Sequence, residues 1–255
     1  MQSAPRSSSR RAFLASSLSV PLGCRRGPGF RRLFDGKTLN GWRAIPRVPV
    51  PAFPGAPEPD RNSPAYQAAL SSTGRWTVEN GVIIGGQDPP GSRLGAYLIT
   101  EETFGDFEML IDANPDWSAD SGVMIRATNL GGQGFQVHLD YRMLGSVATF
   151  YGNGIGNWRA RHYAFNPRRD AEGRVIGLHR ELAPRDEILN LAWHSDPDLF
   201  FRVWRFGQWN TLRIRCVGRY PRITTWVNDA RIAELDAATL AAPDYDREAV
   251  ARLLG

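Results

Sequence analysis

Three polar side chains alternate with apolar ones along residues 135–141, which read Phe-Gln-Val-His-Leu-Asp-Tyr. Neighbouring side chains of a strand point to opposite faces, so Gln136, His138 and Asp140 are predicted to share one face while the apolar residues face a core. An imidazole and a carboxylate can act as general bases or bind a divalent cation, and an amide can hydrogen-bond a sugar hydroxyl. We interpret this row as a candidate site; the alternative interpretation is a solvated outer face.

Two neighbouring strands carry further polar side chains that are expected to extend the row. Arg126 lies in the predicted strand 122–128, on the face opposite the core together with Met124, and Glu108 lies among apolar residues in the predicted strand 107–113. Together with the row they would form a charged cleft across one sheet, in which Asp140 or His138 is the base and Arg126 stabilises developing negative charge. The alternative is a ladder of surface salt bridges, which stabilises a fold only slightly.

Other candidate ligand contacts follow the next strand. Tyr151 and Asn153 belong to a glycine-rich segment, residues 151–156, that would let backbone approach a ligand, and His162 is a further candidate for substrate binding. The segment lacks the GxGxxG register and no helix pattern follows it, so dinucleotide binding is not predicted. The chain also lacks a Gly-x-Ser-x-Gly elbow, a His-Glu-x-x-His pair and a P-loop. A divalent cation held by His138 and Asp140 is the one cofactor that the pattern suggests.

Short alternating segments separated by glycine-rich turns predict an all-β chain. The predicted strands are residues 75–79, 82–84, 96–100, 107–113, 122–128, 135–141, 146–151, 199–205, 210–217, 223–228 and 231–235. Asn80-Gly81 is a hairpin turn by its composition, and only residues 245–254 have a helical pattern. Residues 43–64 are rich in proline and residues 164–197 are charged without a steady period, so both are predicted to be surface insertions.

The bulk composition excludes several classes of protein. The chain has 255 residues, 42% of them hydrophobic, and a net charge of +5, three units of which come from arginines in residues 1–23. No clustered basic face is visible in the remainder, so nucleic acid is not an expected partner. Two cysteines, Cys24 and Cys216, do not make a disulfide framework or a zinc site, and Cys216 is predicted to be a buried thiol within a strand.

The first 23 residues have the form of an export signal. Ser9-Arg10-Arg11-Ala12-Phe13-Leu14 is typical of the twin-arginine route, and the short apolar stretch that follows lacks the roughly 20 residues of a membrane-spanning helix. The alternative is a disordered basic tail. We expect a periplasmic or outer-envelope protein. Leu22-Gly23-Cys24 resembles a lipoprotein cleavage box, so the only expected membrane contact is a lipid anchor at Cys24.

Several motifs together resemble the 3-keto-disaccharide hydrolase family, in the same order along the chain. They are Leu33-Phe34-Asp35-Gly36-Lys37-Thr38-Leu39-Asn40-Gly41-Trp42, Trp76-Thr77-Val78-Glu79-Asn80-Gly81, Tyr97-Leu98-Ile99-Thr100, Asp120-Ser121-Gly122-Val123-Met124-Ile125-Arg126, Gly134 to Asp140, Gly207-Gln208-Trp209-Asn210 and Thr225-Trp226-Val227-Asn228-Asp229. The resemblance implies a concanavalin A-like jelly-roll β-sandwich over residues 30–255 with a carbohydrate as partner. It also implies closing strands that this sequence lacks after residue 255. Asp120, Gln136 and His138 depart from the family's usual Asn, Glu and Gln.

Two functions from different classes follow from the resemblance. The first is an enzyme that cleaves a glycosidic bond in a 3-keto-disaccharide or related glycan, by hydrolysis or elimination, because a 3-keto group acidifies the hydrogen at C2 and one base then suffices. The second is a non-catalytic carbohydrate-binding module, with a cell-envelope interaction protein as a third alternative. The Glu-x-Asp-x-x-Glu motif of jelly-roll glucanases is absent, so a retaining two-carboxylate mechanism is not predicted.

Overall fold

Two antiparallel sheets pack face to face in the computed structural model, which describes residues 29–255. The strands are β1 (Trp42–Pro46), β2 (Arg75–Glu79), β3 (Val82–Gly86), β4 (Ala96–Thr100), β5 (Phe107–Ala113), β6 (Asp120–Ile125), β7 (Gly134–Asp140), β8 (Ser146–Asn153), β9 (Arg159–Ala160), β10 (Tyr163–Arg169), β11 (Val175–Leu182), β12 (Trp193–His194), β13 (Asn210–Val217), β14 (Arg222–Val227) and β15 (Ala230–Asp236). The helices are α1 (Pro64–Leu70), α2 (Arg185–Leu189), α3 (Pro197–Val203) and α4 (Arg247–Leu254).

The larger sheet has five strands in the order β12-β15-β14-β13-β5, and the smaller has four in the order β6-β7-β8-β9. Alternation along each strand places the apolar side chains between the two sheets, where Val137, Phe150 and Ile214 are fully buried. A hydrogen bond also crosses the core, from the Thr225 hydroxyl to the Ala148 carbonyl at 2.6 Å. The arrangement is the predicted jelly-roll β-sandwich, with two-stranded ribbons β1-β4, β2-β3 and β10-β11 around it.

Most of the predicted elements are confirmed. Asn80 and Gly81 have φ values of 51° and 80° in the tight turn between β2 and β3, as a turn of this composition requires. In β13 the apolar side chains of Leu212, Ile214 and Cys216 lie in the core. Burial raises the pKa of the Cys216 thiol to about 11. The helix predicted near the end of the chain is α4, capped by the Asp246 carboxylate.

The strand predicted at 199–205 is wrong, because this segment is helix α3. The Asp196 side chain accepts a hydrogen bond from the Asp198 backbone amide, and Pro197 occupies the first helical position, where its missing amide hydrogen costs nothing. Phe200 then anchors the helix in the core with no exposed surface. An apolar run of this length does not by itself distinguish a strand from a buried helix.

The two predicted insertions contain regular structure. Strand β1 (Trp42–Pro46) overlaps the start of the segment 43–64. Among residues 29–255 it pairs with β4 alone, and so it tolerates proline at its last position. Within residues 164–197, β10 and β11 form a hairpin followed by α2 and β12. Its charged residues face outward, whereas Phe165 is fully buried. Both segments were interpreted as irregular because they contain few apolar residues. A short two-stranded ribbon needs only a few inward-facing side chains to form.

Residues 1–23 and Cys24 lie outside the described residues, so the predicted export signal and lipid anchor remain predictions. Among the helices that the structure describes, none has the length and apolar character needed to cross a bilayer.

Candidate functional site

The polar row predicted on β7 lies on the outer face of the four-stranded sheet. Phe135, Val137 and Leu139 are buried in the core as predicted, which places Gln136, His138 and Asp140 on the opposite face. Directly paired residues of adjacent strands share a face. Four rows therefore cross this face: Gly134-Asn153, Met124-Gln136-Tyr151-Arg159, Gly122-His138, and Asp120-Asp140-Ser146. We call this surface the polar face.

His138 occupies the middle of the polar face and is held on two sides. Its ring stacks on that of Tyr151, with centroids 5.8 Å apart and an interplanar angle of 20°. Nδ1 lies 3.4 Å from the Ser146 hydroxyl, which in turn lies 2.7 Å from the Thr149 hydroxyl. Nε2 makes no hydrogen bond with any described residue and is not among the fully enclosed atoms that lack a partner. It therefore keeps some exposed surface and is the ring nitrogen that lacks a partner among residues 29–255.

Burial keeps the His138 imidazole neutral. Only 6% of the residue is exposed, and this desolvation lowers its pKa to about 4 although the negative charge of Asp140 acts in the opposite direction. The unprotonated ring is consequently the form present at neutral pH. A neutral imidazole with an accessible nitrogen can accept a proton or a hydrogen bond.

The Asp140 carboxylate is engaged by an arginine. Arg142 donates from Nε to one oxygen at 2.7 Å and from a terminal nitrogen to the other at 3.0 Å, and its third nitrogen lies 3.0 Å from the Asp120 carboxylate. Both Asp140 oxygens are thus occupied by a bidentate pair. Across residues 29–255, no group of three His, Cys, Asp or Glu side chains is arranged to hold a metal ion. The donor set of His138 and Asp140 does not fit a divalent cation.

Gln136 presents an amide without a protein partner. A Cβ atom on Gly122 would lie 2.4 Å from the Gln136 Nε2 atom, so the amide lies across the position that Gly122 leaves open. The Gln136 side chain makes no hydrogen bond with any residue of the described range. An unpaired, half-buried amide beside an aromatic ring is the kind of group that recognises a sugar hydroxyl.

The β1-β4 ribbon and the residue after β1 add two side chains near this face that were not predicted from the sequence. The Tyr97 ring packs against Gly132, just before β7, and its hydroxyl lies 3.5 Å from the Gly131 carbonyl. Arg47, directly after β1, packs its stem over Gly95. Burial raises the pKa of Tyr97 and of Tyr151, and the positive charge of Arg47 opposes both rises. Arg47 was missed because it lies in a segment interpreted as a surface insertion, and no local sequence signal places its side chain near this face.

A comparison with protein families bears on this geometry. The family model described as the 3-keto-alpha-glucoside-1,2-lyase-like domain matches residues 29–249. The chain belongs to this family. The resemblance predicted from the motifs is thereby confirmed, and the family is a glycan-acting one. No curated protein sequence matches the chain.

Glu108 does not share the polar face of this 3-keto-alpha-glucoside-1,2-lyase-like domain. It lies on β5 of the five-stranded sheet, where it accepts a 2.8 Å hydrogen bond from Arg213, whose guanidinium stacks on Trp226 at 4.5 Å. The prediction that Glu108 lies beside His138 and Asp140 on one sheet is wrong. Strands 107–113 and 122–128 are neighbours in sequence but belong to opposite sheets of the sandwich.

Arg126 also lies away from the row. Strand β6 ends at Ile125, and Arg126 has a φ of 46°, so the alternation that would have placed it beside Met124 stops there. Its guanidinium donates to Asp106 at 3.2 Å and to the Gly218 carbonyl at 3.4 Å. Arg126 lines a separate shallow depression between α4 and the β13–β14 turn. The expectation that it completes the cleft is wrong.

The side chains of Asn153 and His162 are engaged by contacts within the protein. The Asn153 amide donates to the Gly132 carbonyl at 2.7 Å and to that of Gly131 at 3.3 Å, and so fastens the loop before β7. His162 is 2% exposed, and its ring stacks on His194 at 4.8 Å. Burial, aided by the charge of His194, lowers the His162 pKa to about 3. The structure brings Gln136, His138, Asp140 and Tyr151 together and leaves His162 outside. Asn153 shares the polar face through its pairing with Gly134, but its amide is already engaged by the two glycine carbonyls.

Proposed function

We propose that this chain cleaves the glycosidic bond of a 3-keto-glycoside by elimination, with His138 as the base. The observation that carries the proposal is the neutral imidazole of His138, whose accessible Nε2 lies in the centre of the polar face of a family member. One base is sufficient because the 3-keto group makes the hydrogen at C2 acidic.

The reaction consists of one proton transfer and one bond cleavage. His138 Nε2 takes the C2 proton, and the electron pair of the C2–H bond passes through an enolate whose negative charge lies on the C3 oxygen. That electron pair then forms the C1–C2 double bond as the C1–O bond breaks. The leaving oxygen keeps the bonding pair and takes a proton from the imidazolium or from water. The products are a 1,2-unsaturated 3-keto sugar and the released alcohol.

Neighbouring side chains support both charges that develop. Gln136 lies two residues from His138 on the same face, roughly 7 Å along the strand, and its free amide can donate to the C3 oxygen. Asp140 supports the imidazolium, because its negative charge favours the protonated form of His138. Since Arg142 occupies both Asp140 oxygens, we assign the carboxylate to positioning and electrostatic support, and the proton transfer to His138.

The Tyr151 ring completes the proposed sugar-binding surface. Tyr151 is half-buried, its hydroxyl donates to Asn157 at 3.1 Å, and this bond fixes the ring beside His138. An aromatic ring with one fixed orientation provides a surface for the apolar face of a pyranose. We expect the sugar to lie against Tyr151 with C2 directed at His138.

The experiment is product analysis by NMR after incubation of the protein with a 3-keto-disaccharide in D2O, beside a sample without protein. Elimination gives a vinylic C1–H signal, or, if water later adds, deuterium at C2 of the released 3-keto sugar. Product that retains hydrogen at C2 would indicate direct hydrolysis and contradict the proposal. Binding of the disaccharide without turnover would favour the carbohydrate-binding module instead.

A further inference from the structure

Two exposed arginines lie close to Tyr151. Arg159 on β9 is paired directly with Tyr151 on β8 and therefore points to the same face. Arg47 reaches this region over Gly95, where a Cβ atom would meet its Cδ at 2.9 Å. The positive charges of both arginines act on the Tyr151 hydroxyl and oppose the burial that raises its pKa. Arg159 thus lies beside the ring on which the sugar is proposed to rest, and the charge of Arg47 acts on the same ring.

Neither arginine has a carboxylate partner among residues 29–255, whereas the other arginines near this face do. Arg142 is shared by Asp120 and Asp140, and Arg161 is paired with Glu187. Unpaired arginines occur elsewhere on this basic chain, for example Arg215 on β13, so the lack of a partner is not sufficient by itself. The pairing of Arg159 with Tyr151 and the action of the Arg47 charge on the same hydroxyl are what link the two arginines to a ligand.

The charge on the polar face is therefore unevenly distributed. Its carboxylates, Asp120 and Asp140, lie opposite each other on β6 and β7. Both form salt bridges with the Arg142 guanidinium. The row that contains Gln136, Tyr151 and Arg159 lies roughly 13 Å further along β7 and carries unpaired positive charge. A guanidinium presents a planar fork of donors that matches a carboxylate, sulfate or phosphate oxygen pair.

We infer that the site selects an acidic saccharide, one whose sugar ring on Tyr151 carries an anionic substituent that Arg47 and Arg159 bind. The inference rests on the proposed carbohydrate function and adds the class of sugar. A uronate carboxylate and a sulfate or phosphate ester provide the same recognition chemistry. A neutral hexose would leave both guanidinium groups without an anionic partner in the complex.

The test is calorimetric binding of a glucuronic acid-containing disaccharide, its glucose counterpart that differs only at C6, and the 6-phosphate of that counterpart. We expect the acidic sugars to bind at least about 10-fold more tightly than the neutral one, and salt to reduce this preference. Arg47→Gln and Arg159→Gln should each remove most of the preference and leave binding of the neutral sugar nearly unchanged. Arg215→Gln, an exposed arginine on the other sheet, is the matched control and should behave as the wild type.

The outcomes separate the inference from the function on which it rests. Neutral binding as tight as acidic binding, or a preference that survives in both variants, would overturn the inference while the proposed function stands. A preference for only one of the two acidic sugars would support it and identify the anionic group. Binding of none of the sugars would overturn the inference, whereas the proposed function is tested separately by turnover of a 3-keto-disaccharide.

Discussion

The His138 imidazole lies nearly parallel to the Tyr151 ring, with centroids 5.8 Å apart and 20° between the planes. The stack shields one face of the imidazole from water, and the Ser146 hydroxyl lies at the Nδ1 edge. Desolvation of this kind penalises the charged ring. The same relationship that positions Nε2 toward a ligand therefore also determines over which pH range His138 can act as a base.

The first prediction is the pH dependence of turnover. Because burial lowers the His138 pKa to about 4, the neutral, active form predominates above that value and is lost as the pH falls through it. We expect kcat/KM for a 3-keto-glycoside to be level above about pH 5 and to fall on further acidification. Rates are measured between pH 3 and 8, with circular dichroism to exclude acid unfolding. An inflection near the ordinary histidine pKa of 6.5 would contradict the assigned environment.

Gly122→Ala tests the position of the Gln136 amide. A methyl group at residue 122 would lie 2.4 Å from Gln136 Nε2 and 2.8 Å from its Cγ, so the flexible amide must move. We expect sugar affinity to fall about 10-fold while thermal unfolding changes little. Gly105→Ala is the control, since a Cβ there meets no atom within 4 Å. Equal sugar affinity in both variants would exclude Gln136 from the binding surface.

Glu108→Gln tests the division of polar residues between the two sheets. The Glu108–Arg213 pair is partly exposed, with 27% and 40% of the two side chains accessible, and such pairs contribute about 1 kcal/mol or less. We expect unchanged turnover and a small decrease in the free energy of unfolding, measured by urea titration. Loss of turnover at unchanged stability would show that Glu108 takes part in the reaction and contradict the division.

Much of the fold and half of the candidate site could be predicted from the sequence, because both depend on local alternation. The period of two along β7 gave the correct faces for Val137 and His138. It did not predict which strands share a sheet, which depends on long-range pairing, and so Glu108 was placed on the wrong side. Arg126 was misplaced because its positive φ ends the strand, and nothing in the local pattern marks that point.

The contribution of Arg47 and Tyr97 was not predictable by the same reasoning. Both belong to a ribbon whose position over the sandwich is determined by close contacts at glycines such as Gly95 and Gly132. A glycine that leaves space for a side chain from a distant segment has the same sequence signature as a glycine in a turn. Only the tertiary structure distinguishes the two.

The export signal predicted for residues 1–23 calls for an experiment in cells. Twin-arginine transport is sensitive to replacement of the arginine pair, so Arg10→Lys together with Arg11→Lys should leave the precursor in the cytoplasm. Cell fractionation followed by immunoblotting of the intact chain measures this. Replacement of Arg25 and Arg26 by lysine is the control. Normal export of the variant with Arg10→Lys and Arg11→Lys would contradict the predicted twin-arginine signal.

The central claim, that His138 takes the C2 proton on the polar face, is tested most directly by the turnover of His138→Gln. Glutamine keeps a polar side chain of similar size but cannot accept a proton, so kcat on a 3-keto-glycoside should fall by at least about 100-fold. Thermal unfolding verifies that the variant is folded. His179→Gln, which replaces an exposed histidine on β11 that pairs with Glu181, should retain wild-type turnover. Turnover that persists in folded His138→Gln would contradict the account.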